Sequence, residues 1–171
     1  MVSLVLGGAA SGKSAFAEDL ILAAPSRPLV YAATMEPWGE EAQKRIARHR
    51  ALRAGKGFVT FEAPRAANLL EIPEGGAVLL ECLTTLTANE CFSVGFDGAE
   101  KRLLAGVEAL LRRCGDAVLV SGDLFADGYT YPPETERYLS VLAAVNGELA
   151  AQSDRVIEVC CSIPIFHKGE A

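Results

Sequence analysis

Eight residues near the amino terminus carry the most chemistry. Gly7-Gly8-Ala9-Ala10-Ser11-Gly12-Lys13-Ser14 fits the pattern G-x-x-x-x-G-K-[ST] and directly follows the apolar run Val2–Leu6. Glycines at such a turn let backbone N–H groups face phosphate oxygens with no Cβ in the way. A helix opening near Lys13 would aim the positive end of its dipole at the same anion. The Lys13 ammonium would reach the β- and γ-phosphates, and the Ser14 hydroxyl would ligate Mg²⁺. The whole segment is therefore expected to bind a nucleoside triphosphate, which leaves the reaction open.

A phosphate loop needs a carboxylate nearby to help hold the metal ion. Ala77-Val78-Leu79-Leu80-Glu81 supplies one at the end of an apolar run, where an unpaired charge would be costly. Asp123, after the run ending at Ser121, is the weaker alternative, and a solvated strand-end Glu81 would read the same way. A third cluster lies between Lys44 and Lys56, where Lys44, Arg45, Arg48, Arg50, Arg53 and Lys56 crowd one helical segment of an otherwise acidic chain. His49 falls between Arg45 and Arg53 at i−4 and i+4, on one stripe of that helix. Flanking cations favour the neutral, nucleophilic imidazole, and arginines can bind the phosphates it would attack. Spacing alone equally allows an inert histidine on a solvated basic helix.

Short apolar runs alternate with helical patterns along the chain and would position these groups. The runs are Val2–Leu6, Leu29–Ala33, Phe58–Phe61, Ala77–Leu80, Ala117–Val120 and Val156–Cys160. Most are continuous rather than alternating, as expected of strands buried on both faces of a parallel sheet. Helices are expected over Lys13–Ala23, Glu40–Arg53, Thr84–Phe92, Ala99–Arg113 and Glu134–Ala151. The alternation predicts an α/β architecture, a mainly parallel sheet with helices on both faces. Residues 1–171 read as a single nucleotide-binding domain, a size ordinary for one domain. Gly122–Pro133 holds two Gly, two Pro and two Tyr and reads as a long loop over one sheet edge.

Composition narrows the function classes. Half of the residues are hydrophobic, which supports a packed core. The net charge of −6 argues against a general grip on nucleic acid or an anionic membrane, so an anionic ligand needs a local cluster of donors. No run approaches the ~18 apolar residues of a membrane span, and the short apolar start lacks a signal-peptide core. A cytoplasmic location is expected. The five cysteines, Cys82, Cys91, Cys114, Cys160 and Cys161, form no CxxC pair and are expected to be buried free thiols.

The motifs together resemble one family. Gly7–Ser14, Tyr31-Ala32-Ala33-Thr34, Arg45-Ile46-x-x-His49-Arg50 and Leu80-Glu81-Cys82-Leu83-Thr84 occur in this order. Asn89, Asn146, Asp154-Arg155-Val156 and Ile163-Pro164 continue the likeness over nearly the whole chain. The pattern resembles the bifunctional adenosylcobinamide kinase / adenosylcobinamide-phosphate guanylyltransferase of cobalamin biosynthesis. The resemblance implies a RecA-like P-loop NTPase fold and a homotrimer. It implies ATP- or GTP-dependent phosphorylation of a corrinoid acceptor, then GMP transfer from GTP through a guanylyl-histidine. On this chain the nucleophile would be His49. Nucleotide contacts would fall on Gly7–Ser14, Thr34, Arg45, Arg53 and Glu81, and Mg²⁺ on Ser14 and Glu81. No nucleic acid or membrane partner is implied.

The chain also departs from the family pattern. Gly122-Asp123-Leu124-Phe125 stands where Asn-Glu-Val-Gly is usual, and Ala10, Ala42 and Leu86 replace the common Arg, Met and Trp. The acceptor contacts are therefore expected to differ more than the nucleotide contacts. Two other readings stay open: a P-loop kinase or nucleotidyltransferase with another acceptor, and a non-catalytic nucleotide-binding relative.

Overall fold

The computed structural model describes residues 1–37, 39–125 and 128–170; the side chains of Glu41, Arg45 and Leu52 lie outside the described set, as do Trp38, Ala126, Asp127 and Ala171. Seven strands form one sheet: β1 (Val2–Leu6), β2 (Leu29–Ala33), β3 (Phe58–Glu62), β4 (Ala77–Glu81), β5 (Asp116–Val120), β6 (Arg155–Cys160) and β7 (Ile163–Lys168). Their spatial order is β3-β2-β4-β5-β1-β6-β7. All neighbours run parallel except β6 and β7, which form an antiparallel hairpin.

Helices α1 (Lys13–Ala23), α2 (Gly39–Arg53), α3 (Leu83–Asn89), α4 (Ala99–Leu111) and α5 (Pro133–Gln152) lie between the strands. A 3-10 segment spans Ala66–Glu71, and a π turn, Glu90–Val94, continues α3. Sequence chemistry explains the helix ends. Pro133 opens α5 with Glu134 and Glu136 in the first turn, where a fixed φ and negative charge both suit a helix start. Gly98, at φ 73°, turns the chain into α4.

Strand alternation divides the core into two layers. Leu4, Val30, Leu80 and Leu119 pack on one face with Leu103 and Val107 of α4 and Val145 and Leu149 of α5. Val5, Tyr31, Leu79 and Val118 pack on the other with Ala17 and Ile21 of α1. Each fully buried leucine contributes about 1.5–3 kcal/mol of hydrophobic transfer. Helices thus cover both faces, as expected.

Several expectations need correction. Strand β3 is not buried on both faces: it ends the sheet, with Val59, Thr60 and Glu62 exposed. Strand β7 was not foreseen, because Pro164 and an exposed alternating pattern mark an edge strand rather than a core strand. The loop after Ser121 does not run over a sheet edge. Its parent strand β5 lies between β4 and β1, so it crosses the middle of the carboxyl edge. Of the five free thiols only Cys91 is buried; Cys160 and Cys161 are exposed at the β6–β7 turn. No helix among the described residues is long and apolar enough to cross a membrane.

Candidate active site

The phosphate loop leaves β1 and turns into α1 at the carboxyl edge of the sheet. Gly12 sits at φ 94°, a left-handed conformation that a side chain would strain, and a Cβ there would lie 2.6 Å from Ser162 Oγ. At Gly7 a Cβ would lie 2.6 Å from both Ser11 Oγ and the Val159 carbonyl. The loop is braced from outside by the β6–β7 turn, where Ser162 N–H donates to the Ser11 carbonyl at 2.8 Å. Within it, Lys13 Nζ donates to the Gly8 carbonyl at 2.9 Å, which holds the ammonium over the loop. Ser11 Oγ is buried and has no hydrogen-bond partner among the described residues.

Register explains how Glu81 meets this loop. Ala33 pairs with Glu81 and Tyr31 with Leu79, so all four side chains lie on the α1 face of the sheet. Tyr31 Oη donates to Glu81 Oε2 at 2.9 Å, and the Ser14 hydroxyl at the start of α1 lies near the same carboxylate and helps to lower its pKa. His49 Nδ1, on α2, lies 3.6 Å from Glu81 Oε2, in ion-pair range. Burial would raise the Glu81 carboxyl, but the donors from His49, Ser14 and Tyr31 outweigh it and hold it below the usual carboxylate range. Burial first, and then the Glu81 charge, pushes the Tyr31 phenol up. Tyr31 was not foreseen as a site residue. The available signal was a tyrosine inside a buried strand, whose hydroxyl needs a partner.

Of the arginines expected to flank His49, Arg53 borders the same cleft, and the Glu81 carboxylate meets the imidazole as well. Arg50 pairs with Glu62 at 2.9 Å. The Arg53 guanidinium lies 3.2 Å from the Tyr31 ring centroid, in a cation–π contact, and its Nε has no hydrogen-bond partner among the described residues. The Arg45 side chain is outside the described residues. Tyr31, Met35, Ile46, His49, Arg53 and Glu81 all border one open cleft.

The other expected residues divide. Thr34 is fully buried, and its hydroxyl donates to the Cys82 carbonyl at 3.0 Å while accepting from Cys82 N–H at 2.7 Å. It ties the end of β2 to the end of β4 and does not face the cleft. Asp123 stays outside the Ser14–Glu81 cluster: its carboxylate accepts from Phe125 N–H, and its own N–H donates to the Gly7 carbonyl.

The donor set fits Mg²⁺. Mg²⁺ is usually held by one or two protein oxygens, with phosphate oxygens and water completing the octahedron. The Ser14 hydroxyl and the Glu81 carboxylate offer two such oxygens beside the phosphate loop. No group of three or more His, Cys, Asp or Glu among the described residues would compete as a metal cage.

The family described as cobinamide kinase / cobinamide phosphate guanyltransferase matches residues 3–166. The chain belongs to this family. Its members are enzymes with kinase and nucleotidyltransferase activity. Among its relatives is the bifunctional adenosylcobalamin biosynthesis protein CobU of Salmonella typhimurium, 30% identical, with 96% of this chain and 98% of that protein covered. Another is the bifunctional adenosylcobalamin biosynthesis protein CobP of Pseudomonas aeruginosa, 33% identical, with 99% of each covered. Two solved structures share the fold at low identity. Flagellar accessory protein FlaH from Methanocaldococcus jannaschii has a TM-score of 0.51 at 11% identity, covering 99% of this chain and 78% of that one. A KaiC-like protein from Pyrococcus horikoshii OT3 has a TM-score of 0.51 at 12% identity, covering 92% and 71%. The cobinamide kinase family member described here has the expected RecA-like P-loop fold, in which one strand, β5, separates the phosphate-loop strand from the strand ending in Glu81.

Proposed function

We propose that this chain phosphorylates the hydroxyl of adenosylcobinamide with ATP or GTP, and then transfers GMP from GTP onto that phosphate through a guanylyl-His49 intermediate. The observation that carries this reading is the meeting of three groups on one carboxylate. Ser14 from the phosphate loop, Tyr31 from the sheet and His49 from α2 all face Glu81. The kinase half and the transferase half would share that group.

In the first reaction the acceptor hydroxyl oxygen attacks the γ-phosphorus and gives up its proton to solvent, the bond to the β-phosphate oxygen breaks, and the nucleoside diphosphate leaves with that electron pair. Backbone N–H groups of the Gly7–Ser14 loop and the Lys13 ammonium would carry the charge that develops on the transferring phosphoryl group. Mg²⁺, when bound through Ser14 and Glu81, would neutralise phosphate charge.

In the second reaction Glu81 would keep the proton of His49 on Nδ1. The Nε2 lone pair is then free to attack the α-phosphorus of GTP. The N–P bond forms, the α–β phosphoanhydride breaks, and its electron pair leaves with pyrophosphate. The phosphorylated imidazole bears positive charge, which the nearby Glu81 carboxylate offsets. A phosphate oxygen of the acceptor then attacks the same phosphorus and restores the imidazole.

The test separates the two halves. The purified chain is given adenosylcobinamide with γ-labelled ATP or GTP, and adenosylcobinamide phosphate with α-labelled GTP. Label is expected in the corrinoid product both times. No label in either product with a nucleotide-bound protein would leave a non-catalytic relative.

A further inference from the structure

A second cavity lies on the other side of the phosphate loop from the His49 cleft. It is about 360 Å³ and opens between the end of β1, the segment after β5, helix α5 and the β6–β7 hairpin. Leu6, Asp123, Phe125, Asn146, Glu158 and His167 border it. Leu6 packs with the layer under α5, so the cavity sits on the α5 side of the sheet, whereas Tyr31 and Glu81 face the α1 side. Asp123 N–H donates to the Gly7 carbonyl at 3.1 Å, so the cavity abuts the phosphate loop itself.

Asn146 shows what kind of ligand the cavity suits. It is 8% exposed, and its Oδ1 accepts from Ser121 Oγ at 2.8 Å. Its Nδ2 donates to no group among the described residues, yet the side chain borders the cavity. That leaves the Nδ2 N–H groups open to whatever enters the cavity. Opposite lie two carboxylates: Asp123, and Glu158, which pairs with His167 at 2.9 Å. Two carboxylates, with no Lys or Arg among the described residues of the cavity wall, suit a polyphosphate poorly. A donor amide facing acceptor carboxylates matches a primary carboxamide, which both donates and accepts. The apolar surfaces match the rest of such a ligand. Phe125 is exposed, and Ile163 and Ile165 stand exposed on the same face of β7 as His167.

We propose that this cavity, with Asn146 Nδ2 as its amide donor and Phe125 as its apolar wall, binds the carboxamide-bearing edge of the corrinoid acceptor. The proposal rests on the functional reading above. The acceptor would approach the phosphate loop from the α5 side, and the guanine nucleotide would occupy the α1 side. The carboxamide-reading group is then a residue on α5, which lies far in sequence from the phosphate loop and from His49.

Equilibrium dialysis of adenosylcobinamide, read by its visible absorbance, tests this on the whole chain alongside GTP binding. Phe125→Ala alters an exposed loop residue and leaves the core intact; Asn146→Ala removes the amide donor. Each is expected to raise the Kd for adenosylcobinamide about tenfold and to leave the Kd for GTP within about threefold. If Asn146→Ala fails to fold, Phe125→Ala decides. A wild-type chain that binds and phosphorylates adenosylcobinamide, with acceptor affinity unchanged in the folded variants, overturns the site but not the function. A wild-type chain that does neither overturns both. Dissociation of an oligomer by Phe125→Ala would make this face a contact between copies and would also overturn the proposal.

Discussion

Glu81 shows how one buried charge is made useful. Alone at the end of β4, it would favour its neutral form; three donors keep it ionised. A carboxyl held low in the folded protein stabilises the fold at pH values above its ordinary 4.5, and that contribution disappears as pH falls through the lower folded value. Tyr31→Phe removes one lowering donor, so the folded value should rise and the acid loss should move toward 4.5. The variant should also lose about 1 kcal/mol at neutral pH, the net worth of one hydrogen bond. Denaturant midpoints measured from about pH 3 to 7 report both effects; superimposable profiles would mean that the phenol does not hold the carboxylate. Lys13 is different, because its one described hydrogen bond is to the Gly8 carbonyl in the loop it serves. Lys13→Ala should leave the melting temperature unchanged and remove NTP-dependent turnover. Residual turnover above about a tenth of wild type, a barrier change under ~1.4 kcal/mol, would contradict its phosphate role.

The elements meet most tightly where the phosphate loop touches the β6–β7 turn. Gly12→Ala should place a Cβ 2.6 Å from Ser162 Oγ on a backbone at φ 94°. We expect a stability loss of about 1–3 kcal/mol and weaker nucleotide binding. Ser162→Gly added to it should recover only the clash and not the backbone strain. Full recovery in thermal melts and GTP titrations would show that the left-handed turn carries no cost. The turn also marks what was legible beforehand. The bounds of α1, Lys13–Ala23, were expected as they stand, and five of the six expected runs are strands of the covered sheet interior. Strand β7 was hidden because an exposed edge strand with a proline carries little of the apolar signal that reveals a core strand. Ser14, His49 and Glu81 could be named from motif and position. The shared metal role already put Ser14 beside Glu81; the approach of His49 to that carboxylate was not legible, because it depends on the path of α2 over the sheet. The stacking of Arg53 on Tyr31 was equally invisible, since helix spacing had placed it beside His49.

At the scale of the molecule, two ligand faces flank one phosphate loop, and one chain of 18.1 kDa would run two transfers. The family resemblance implies a trimer, and exposed Leu70, Phe92 and Val94 leave apolar surface for contacts between copies. Sedimentation at micromolar concentration should give a species of three such chains, about 54 kDa; a single 18.1-kDa species would contradict it. The second transfer depends on whether His49 carries GMP covalently between GTP and the acceptor. The most direct measurement is incubation of wild type and His49→Asn with α-labelled GTP, followed by quantifying acid-labile, base-stable label on the protein. Wild type should take up label that adenosylcobinamide phosphate discharges, while His49→Asn takes up none and still transfers the γ-phosphate. Equal labelling of the two proteins would contradict it and leave His49 a solvated helix residue beside Glu81.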